Sequence, residues 1–244
     1  AVLSAVRRGH QAMVFVHSRQ GTVETATALS RMAAALEGQQ QGLFSAAATH
    51  PTTKQQQLLL QLQRSSSYKE LKCLVPQGFS VHHAGMLRSD RQLSCSLFAA
   101  GVVKVLCCTA TLAWGVNLPA RCVIIKGTKI YSQEEGKEKD IGFLDVCQIF
   151  GRAGRPQYDS IGEAYLIGEL NKTPKYIQLL SASLPVDSQL LLQLPNALNA
   201  EVALGSVSSI ADAAEWLQYT FLFARMQAQP HLLHNRAAAA AIGV

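Results

Sequence analysis

Two arginines three residues apart are the side chains of this sequence best suited to phosphate chemistry. Arg152 and Arg155 stand in the run QIFGRAGRPQYD, and each directly follows a glycine, Gly151 or Gly154. A guanidinium stays charged at physiological pH and can bind two phosphate oxygens at once, while glycine lets the backbone come close to a ligand. The spacing therefore predicts a phosphate-binding turn. The alternative is a solvated helix end that carries two surface arginines.

A second candidate is the segment TATLAWGVNLPA, which directly follows an apolar, strand-like run. The hydroxyls of Thr109 and Thr111, with the backbone amides beside them, can bind a phosphodiester oxygen. Gly115 gives the chain room to turn, and the Asn117 amide can bind a ribose hydroxyl. Alternatively, the segment is a loop containing glycine and proline in which Trp114 fills the core.

The adjacent histidines His82 and His83, in the run HHAGM, are a third candidate. A metal site would need both imidazoles on one face, together with further ligands. Neighbouring side chains in a strand point to opposite faces, and no cysteine or carboxylate stands at ligand spacing. The sequence therefore predicts no metal site.

The apolar pattern predicts the elements that position these candidates. Predicted strands span residues 11–17, 79–81, 102–108, 122–126 and 163–167. Predicted helices span residues 22–36, 68–75, 89–99 and 144–150, the third of them beginning with a capping box of Ser89 and Gln92. Strands that alternate with helices, some of them apolar throughout, indicate an open α/β parallel sheet with helices on both faces. Ligands bind such sheets at the carboxyl ends of the strands.

The pattern changes after residue 174, where only helices are predicted, over residues 175–182, 187–194, 197–204 and 210–225. We therefore divide the chain into a first domain, residues 1–184, and an all-α segment, residues 185–244, with a boundary near Pro185. Residues 37–67 are rich in Gln, Ala, Ser and Thr. This composition predicts a mobile, low-complexity insertion with one helical pattern near residues 58–62.

Composition limits the class of protein. The chain has 244 residues, 48% of them hydrophobic, which is enough to bury a core. No apolar run approaches the ~20 residues that cross a bilayer, which predicts a soluble protein with no membrane partner. The net charge of +6 favours a polyanionic partner such as nucleic acid, and six cysteines without a C-x-x-C pair indicate reduced thiols. Because the sequence begins at Ala1, we expect it to be a piece of a longer protein.

Four segments, in this order, resemble conserved motifs in the second RecA-like domain of superfamily-two DExH helicases. VFVHSR is similar to motif IV, HHAGM to the backbone-contacting motif after it, TATLAWGVNLPA to motif V and QIFGRAGRPQYD to motif VI. VIIKGTKIYS and the run from LPNALNAEV to FLFARM resemble the large multi-domain members, such as the spliceosomal helicase that unwinds small nuclear RNAs and the helicase of the activating signal cointegrator complex. The resemblance covers about residues 12–230 and implies a RecA-like, P-loop-NTPase-type sheet followed by part of a winged-helix domain.

The resemblance also implies roles for individual residues. Arg152 and Arg155 would contact the γ-phosphate of ATP, and Gln148 would position the hydrolytic water or sense that phosphate. Binding of the rest of ATP is assigned to Gly115, Asn117 and Gly151. Binding of the sugar-phosphate backbone of a strand is assigned to Ser18, Arg19, His83, Gly85, Thr109 and Thr111. Such contacts read little base sequence and weaken with salt.

Two parts of such a motor are missing from the printed sequence. It has no phosphate-cradling loop, because its Gly136-Lys137 pair is followed by glutamate, and it has no D-E-x-H or D-E-A-D string for Mg²⁺. In the family these parts belong to the first RecA-like domain. The resemblance therefore implies that ATP and Mg²⁺ are held mainly by that domain of the same polypeptide, and that this chain alone is inactive.

For the complete protein we expect an ATP-dependent 3′ to 5′ helicase, with single-stranded nucleic acid as its partner and RNA favoured over DNA. The resemblance implies a large ribonucleoprotein or multi-protein complex, mRNA splicing as one process, and the nucleus, or otherwise the cytoplasm, as the location. Two other interpretations remain open. One is an inactive helicase cassette that serves as a protein-interaction scaffold, and the other is a nucleic-acid-binding module that works without nucleotide.

Overall fold

A parallel five-stranded sheet forms the centre of the N-terminal part of the chain. The structure, a computed structural model, describes residues 1–37, 43–44, 51–115, 118–132, 136–154, 161–181, 188 and 190–228. The strands of this sheet are β1 (Ala12–Val16), β2 (Phe79–His82), β3 (Val105–Thr109), β4 (Cys122–Lys126) and β7 (Glu163–Ile167). The strands β5 (Lys129–Ser132) and β6 (Lys137–Asp140) pair antiparallel as a separate hairpin, which the sequence did not predict.

Helices occupy most of the remaining described chain. They are α1 (Val2–Arg7), α2 (Arg19–Glu37), α3 (Thr53–Ser65), α4 (Lys69–Leu74), α5 (Arg88–Ala99), α6 (Thr111–Gly115), α7 (Phe143–Phe150), α8 (Thr173–Ser181), α9 (Leu190–Leu204), α10 (Ile210–Gln218) and α11 (Phe221–Ala228). Short 3₁₀ turns lie at Val75–Gln77 and Leu170–Lys172. Among the helices of the described ranges, none has the length and hydropathy of a membrane span.

The sheet has the strand order β2-β3-β1-β4-β7, and every pairing in it is parallel. The central strand β1 is buried along its whole length, and so is β2. Strands apolar on both faces are typical of a parallel sheet flanked by helices. The fold predicted for this part of the chain is therefore confirmed. The parallel order also brings the carboxyl ends of all five strands to one edge, where Val16 is level with Thr109 and His82 with Cys108.

Strand β3 begins three residues later than predicted, although the predicted start is apolar and buried. The backbone amides of Val102 and Val103 both donate to the carbonyl of Leu97, at 3.1 and 3.3 Å. These residues thus close the end of α5 instead of pairing with a neighbouring strand. Burial alone does not distinguish such a turn from a strand.

The predicted capping box at Ser89 is wrong. Helix α5 begins at Arg88 with Leu87 as its N-cap and no capping side chain, so Ser89 already lies in the first helical turn. Capping boxes stand instead at Thr52 with Gln55, before α3, and at Ser209 with Asp212, before α10.

The second half of the segment predicted to be a mobile insertion forms helix α3. Leu62 on this helix is fully buried, and Leu58 and Leu59 pack against the core of the sheet domain. The Gln55 side chain donates to the carbonyl of Ala100 at 2.8 Å. Glutamine is a good helix former, and the leucines supply an apolar face, so the biased composition does not prevent order. The prediction of mobility is wrong for this helix, and residues 38–42 and 45–50 lie outside the described residues.

The C-terminal part of the described chain consists of α9, α10 and α11. By residue contacts the chain divides into two compact units, Ala1–Ser181 and Ala182–Val244. The helices predicted at 187–194 and 197–204 are one helix, α9, because Pro195 removes one backbone hydrogen bond without ending it. The helix predicted at 210–225 is two, because the Thr220 hydroxyl donates to the carbonyl of Leu217 and accepts from the Phe223 amide. Residues 182–187, where the predicted boundary falls, lie outside the described residues.

Candidate functional site

Three of the predicted loops meet at the carboxyl edge of the sheet. Arg19 follows β1, His83 follows β2, and Thr109 ends β3. These strands are direct neighbours in the order β2-β3-β1. The topology thus brings together the residues assigned to a nucleic-acid strand, which stand far apart in the sequence.

Ser18 and Arg19 form the start of helix α2. The Ser18 hydroxyl accepts from the Gly21 amide at 2.9 Å, and the Ser18 carbonyl accepts from Thr22 at 3.3 Å. Both Ser18 and Arg19 are exposed, and the first turn of α2 holds no acidic residue. The positive end of the helix dipole and the guanidinium therefore give this end of α2 a positive potential that favours anions.

Arg19 lies directly against the loop that follows β2. A Cβ atom placed on Gly85 would lie 3.0 Å from Cδ of Arg19 and 3.2 Å from Nδ1 of His83. Only glycine at position 85 lets these two side chains approach the same point. On the other side of the imidazole, the Tyr68 hydroxyl lies 2.9 Å from Nε2 of His83. We call Arg19, Tyr68, His83 and Gly85 the His83 cluster.

His82, the last residue of β2, and His83 are buried and have lowered pKa values. Burial is the main cause for His83, with the Arg19 guanidinium adding to it and the Glu70 carboxylate opposing it. Burial, together with Arg91 and His83, lowers the pKa of His82 to about 4. Both imidazoles are therefore neutral at pH 7. Within the described residues, neither Nδ1 atom has a hydrogen-bond partner.

Thr109 and Thr111, which are assigned to binding of a nucleic-acid strand, lie close to the residues that contact Arg152. Their hydroxyl oxygens lie 2.9 Å apart, at the junction of β3 and the short helix α6. Thr111 is exposed. Two residues further along α6, the carbonyl of Ala113 accepts a hydrogen bond from the guanidinium of Arg152.

Backbone hydrogen bonds hold the Arg152 loop in place. The Ala120 amide donates to the carbonyl of Arg152 at 3.0 Å, and the Gly154 amide donates back to the carbonyl of Ala120 at 2.8 Å. Arg152 itself is half-buried. We call Ala113, Ala120, Arg152 and Gly154 the Arg152 cluster. Its hydrogen bonds join the two segments that resemble motifs V and VI into one unit.

Glycines make room for this loop. Gly154 has φ +88°, a left-handed conformation that favours glycine. A Cβ atom on Gly162, just before β7, would lie 2.6 Å from the carbonyl carbon and oxygen of Ala153. Gly151 ends α7 and is exposed, and Gln148 is half-buried one turn earlier on that helix.

Two of the predicted site residues, Asn117 and Arg155, lie outside the described residues, and Gly115 is described only as the last residue of α6. Within the described ranges, no group of three His, Cys, Asp or Glu side chains could hold a metal ion. The half-buried, charged Arg152 beside Gly151 fits a phosphate group, whereas the described residues supply no ligand set for Mg²⁺.

Sequence reasoning missed the residues that position the others. Tyr68 precedes α4 and belongs to no motif, yet it contacts His83. Ala113 and Ala120 act only through their backbone groups, so their side chains gave no signal. Gly162 stands just before a predicted strand. A glycine at such a position can indicate that another backbone segment passes close by, and here that segment is Ala153.

Two family models match the chain. Residues 52–157 match the helicase conserved C-terminal domain, and residues 187–239 match a winged helix-turn-helix domain. The first match covers both the His83 and the Arg152 clusters except for Arg19.

Three relatives are similar to almost the whole chain. Activating signal cointegrator 1 complex subunit 3 is 50% identical over 231 residues in Homo sapiens and 49% identical over 229 residues in Gallus gallus. The DExH-box ATP-dependent RNA helicase DExH14 of Arabidopsis thaliana is 49% identical over 229 residues. In each case 94% of this chain and 10% of the relative are aligned, so the chain spans about one tenth of their length. The chain is therefore similar to DExH-type helicases, in which it corresponds to the conserved C-terminal, RecA-like domain and to winged-helix sequence.

Proposed function

We propose that this chain belongs to an ATP-dependent RNA helicase. It supplies one wall of the ATP site and half of the channel that binds a single nucleic-acid strand. One observation carries the proposal. Helix α6 follows the carboxyl end of β3, and the carbonyl of its Ala113 accepts a hydrogen bond from Arg152, so α6 joins the Arg152 cluster to the edge where β1, β2 and β3 end. A motor that couples ATP turnover to movement along a nucleic-acid strand needs such a link between its two sites.

The ATP wall consists of Arg152, Arg155 and Gln148. ATP, when bound between this domain and a first RecA-like domain, supplies the phosphoryl transfer that drives the motor. The Arg152 guanidinium is half-buried, so water screens its charge less than at the surface. A guanidinium in such a position stabilises negative charge on a γ-phosphoryl group and contributes roughly 10³ to 10⁵ in rate. Gln148 stands four residues before Arg152, near the end of α7, where its amide can hold a water molecule.

We call the residues assigned to the nucleic-acid strand the strand grip: Ser18, Arg19, His83, Gly85, Thr109 and Thr111. They supply hydroxyl, imidazole and guanidinium groups, with a glycine beside them. Ser18, Arg19 and Thr111 are exposed at the sheet edge and can donate to phosphate oxygens. None of these groups reads base edges, so we expect binding that is largely independent of sequence. RNA as the strand follows from the name of the Arabidopsis relative, an ATP-dependent RNA helicase.

Helix α6 is the link between the two walls. It begins at Thr111, on the strand side, and contains Ala113, whose carbonyl accepts from Arg152. Arg152 can bind a phosphate with its other N–H groups while it keeps this hydrogen bond, so α6 is linked to the guanidinium when a phosphate binds. We infer that α6 shifts at that moment and alters the grip of Thr109 and Thr111, which gives 3′ to 5′ movement its coupling step.

The setting follows from the relatives. Two of them are named as a subunit of the activating signal cointegrator 1 complex, so we propose that the full protein works in a multi-protein complex in the nucleus. A role in mRNA splicing remains a prediction from the resemblance alone.

The experiment that tests the proposal uses the full-length protein with oligouridine as the strand. Arg155→Ala should abolish ATP turnover while oligouridine binding stays nearly intact, because the arginine acts on the nucleotide. Arg7→Ala, which removes an exposed arginine from α1, is the matched control and should change neither quantity.

Unchanged turnover in Arg155→Ala would overturn the assignment of the ATP wall. A full-length protein that binds oligouridine without hydrolysing ATP would favour the scaffold or the nucleotide-independent module. Robust ATP hydrolysis by the 244-residue chain alone would show that the phosphate-cradling loop is not required from another domain.

A further inference from the structure

The imidazole of His83 lies between two groups of different character. On one side the Tyr68 hydroxyl is 2.9 Å from Nε2, and the two rings meet edge to face with centroids 5.7 Å apart. On the other side Nδ1 borders Gly85, close to the Arg19 guanidinium. His83 is only 5% exposed, so these contacts fix the orientation of the ring.

A neutral imidazole has one nitrogen that donates and one that accepts. If Nε2 donated to Tyr68, then Nδ1 would be an acceptor that faces a guanidinium across Gly85. The nearest guanidinium nitrogen, Nη1 of Arg19, lies 3.3 Å from the point where a Cβ of Gly85 would stand, and Nδ1 lies 3.2 Å from the same point. Among the described residues, however, Nδ1 has no hydrogen-bond partner. Two donors that face one another without bonding are the arrangement expected when both bind an anion.

We propose that Tyr68 is a positioning residue for strand binding: its hydroxyl donates to Nε2 of His83, which puts the imidazole proton on Nδ1, and this N–H and the Arg19 guanidinium donate together to one backbone phosphate at Gly85. The inference rests on the strand grip proposed above and names the residue that prepares it. Gly85 and Arg19 are both exposed, so a phosphate can approach the point that Arg19 and Nδ1 of His83 border.

The surrounding charges favour the neutral ring on which this arrangement depends. The groups that face His83 are Arg19 from α2, Glu70 from α4 and the Tyr68 hydroxyl. Burial and Arg19 lower the pKa of His83, so the ring carries a single proton at pH 7 and its position matters. Burial and Glu70 raise the pKa of Tyr68, so its hydroxyl keeps the proton that it donates.

The first test determines which ring nitrogen of His83 carries the proton. A long-range ¹H–¹⁵N spectrum of the 244-residue chain at pH 7 should show His83 with a protonated Nδ1 and an unprotonated Nε2. His83→Gln identifies the signals by their loss. Tyr68→Phe, which removes only the hydroxyl, should shift the ring toward the tautomer that is protonated at Nε2. A wild-type ring already protonated at Nε2 would overturn the inference, as would a tautomer that ignores Tyr68→Phe.

The second test measures the affinity of the full-length protein for a fluorescein-labelled oligouridine. Tyr68→Phe should weaken binding about threefold to tenfold, because one hydrogen bond to a phosphate is lost or misaligned. Tyr165→Phe removes the same atom from β7, at the opposite edge of the sheet, and should leave affinity unchanged. Arg19→Ala should weaken binding at least as much as Tyr68→Phe.

The outcomes separate the two proposals. If Arg19→Ala weakens binding and Tyr68→Phe does not, the strand grip stands and the role of Tyr68 is refuted. If neither variant changes the affinity, the strand grip itself fails. A Tyr68→Phe protein that melts at a lower temperature but keeps tautomer and affinity would show that Tyr68 is merely structural.

Discussion

Two arginines of the sheet domain, Arg19 and Arg152, are held in opposite ways. Arg19 is exposed at the start of α2, and its guanidinium makes no hydrogen bond to the rest of the described chain. Arg152 is half-buried, donates to the carbonyl of Ala113, and has its own carbonyl bonded to Ala120. One side chain can follow a flexible ligand, whereas the other is fixed by backbone groups.

This difference suits the two phosphates that we assign to them. A strand moves through its channel, so a long exposed side chain can keep contact while the phosphate changes position. A γ-phosphoryl group reacts at one point, where catalysis depends on donors that are already in place. The His83 cluster is thus expected to set affinity, and the Arg152 cluster to set rate.

The largest expected effect comes from Arg152→Lys in the full-length protein. Lysine keeps the charge but cannot bind two oxygens with a planar fork, nor reach Ala113 in the same way. We expect ATP turnover to fall by roughly 10³, while oligouridine affinity changes little. Steady-state ATPase assays with saturating oligouridine measure this. If Arg152→Lys retains most of its ATP turnover, a positive charge alone is enough for catalysis. The fixed geometry of Arg152 would then not distinguish its role from that of Arg19.

The second effect tests whether the backbone holds the Arg152 loop. Gly162→Ala would put a methyl group 2.6 Å from the carbonyl of Ala153, so the loop or β7 must shift. We expect the free energy of unfolding to fall by about 1–3 kcal/mol, as in other overpacked sites. Denaturant unfolding of the 244-residue chain measures it. Gly151→Ala, at a helical φ of −62°, is the control and should cost less, whereas equal losses would contradict the account.

The third effect concerns pH and arises from His82, the residue before His83 at the end of β2. Burial, then Arg91 and His83, lower the pKa of His82 from 6.5 to about 4. Between pH 6.5 and 4 the unfolded chain therefore binds a proton that the folded chain excludes. The free energy of unfolding falls as the pH falls through this window, and above pH 6.5 the group contributes no pH dependence.

His82→Asn should flatten this acid loss of stability, measured as the melting temperature at pH 6.5 and pH 4.5. Guanidinium groups do not titrate in this range, so Arg152→Lys should leave the slope as it is in the wild type. An unchanged slope in His82→Asn would show that the histidine is not the source.

The smallest effect is on the salt dependence of binding. Each phosphate contact made by an arginine contributes about one to the slope of log affinity against log salt. Arg19→Ala should therefore lower the slope for oligouridine by about one. Arg31→Ala, an exposed arginine near the other end of α2, should leave the slope unchanged. Equal slopes for Arg19→Ala and the wild type would remove Arg19 from the strand grip.

The sheet could be predicted from the sequence because its three central strands, β3, β1 and β4, are apolar along most of their length. Strands β4 and β7 begin and end where the pattern predicted. The ends of helices were harder, since they depend on hydrogen bonds made in the folded chain. Ser89 has the sequence of a capping box, yet the helix begins one residue before it. Pro195 suggested a break that the structure does not contain.

The hairpin of β5 and β6 shows a different limit. Its second strand, Lys137–Asp140, consists of charged residues and carries no apolar pattern. Contacts from elsewhere hold it, including the ion pairs of Asp140 with Lys172 and Lys175 and the hydrogen bond from Tyr176 to the carbonyl of Ile141. Periodicity cannot predict an element that tertiary ion pairs stabilise.

The candidate site was predictable in its residue types but not in its arrangement. The motifs identified Arg19, His83 and Arg152 as candidate phosphate-binding residues. The contacts that form the two clusters are made by Tyr68, which belongs to no motif, and by the backbone groups of Ala113 and Ala120. Such partners become visible only when distant segments are packed together.

If the two clusters act on two different phosphates, substitutions in them should have opposite effects on ATP turnover and on oligouridine affinity. ATP turnover at saturating oligouridine and oligouridine affinity are measured for Arg152→Ala and Arg19→Ala in the full-length protein. We expect Arg152→Ala to lose roughly 10³ or more in turnover with affinity nearly unchanged, and Arg19→Ala to lose affinity while keeping its turnover at saturation. Normal turnover in Arg152→Ala, or wild-type affinity in Arg19→Ala, would contradict this expectation.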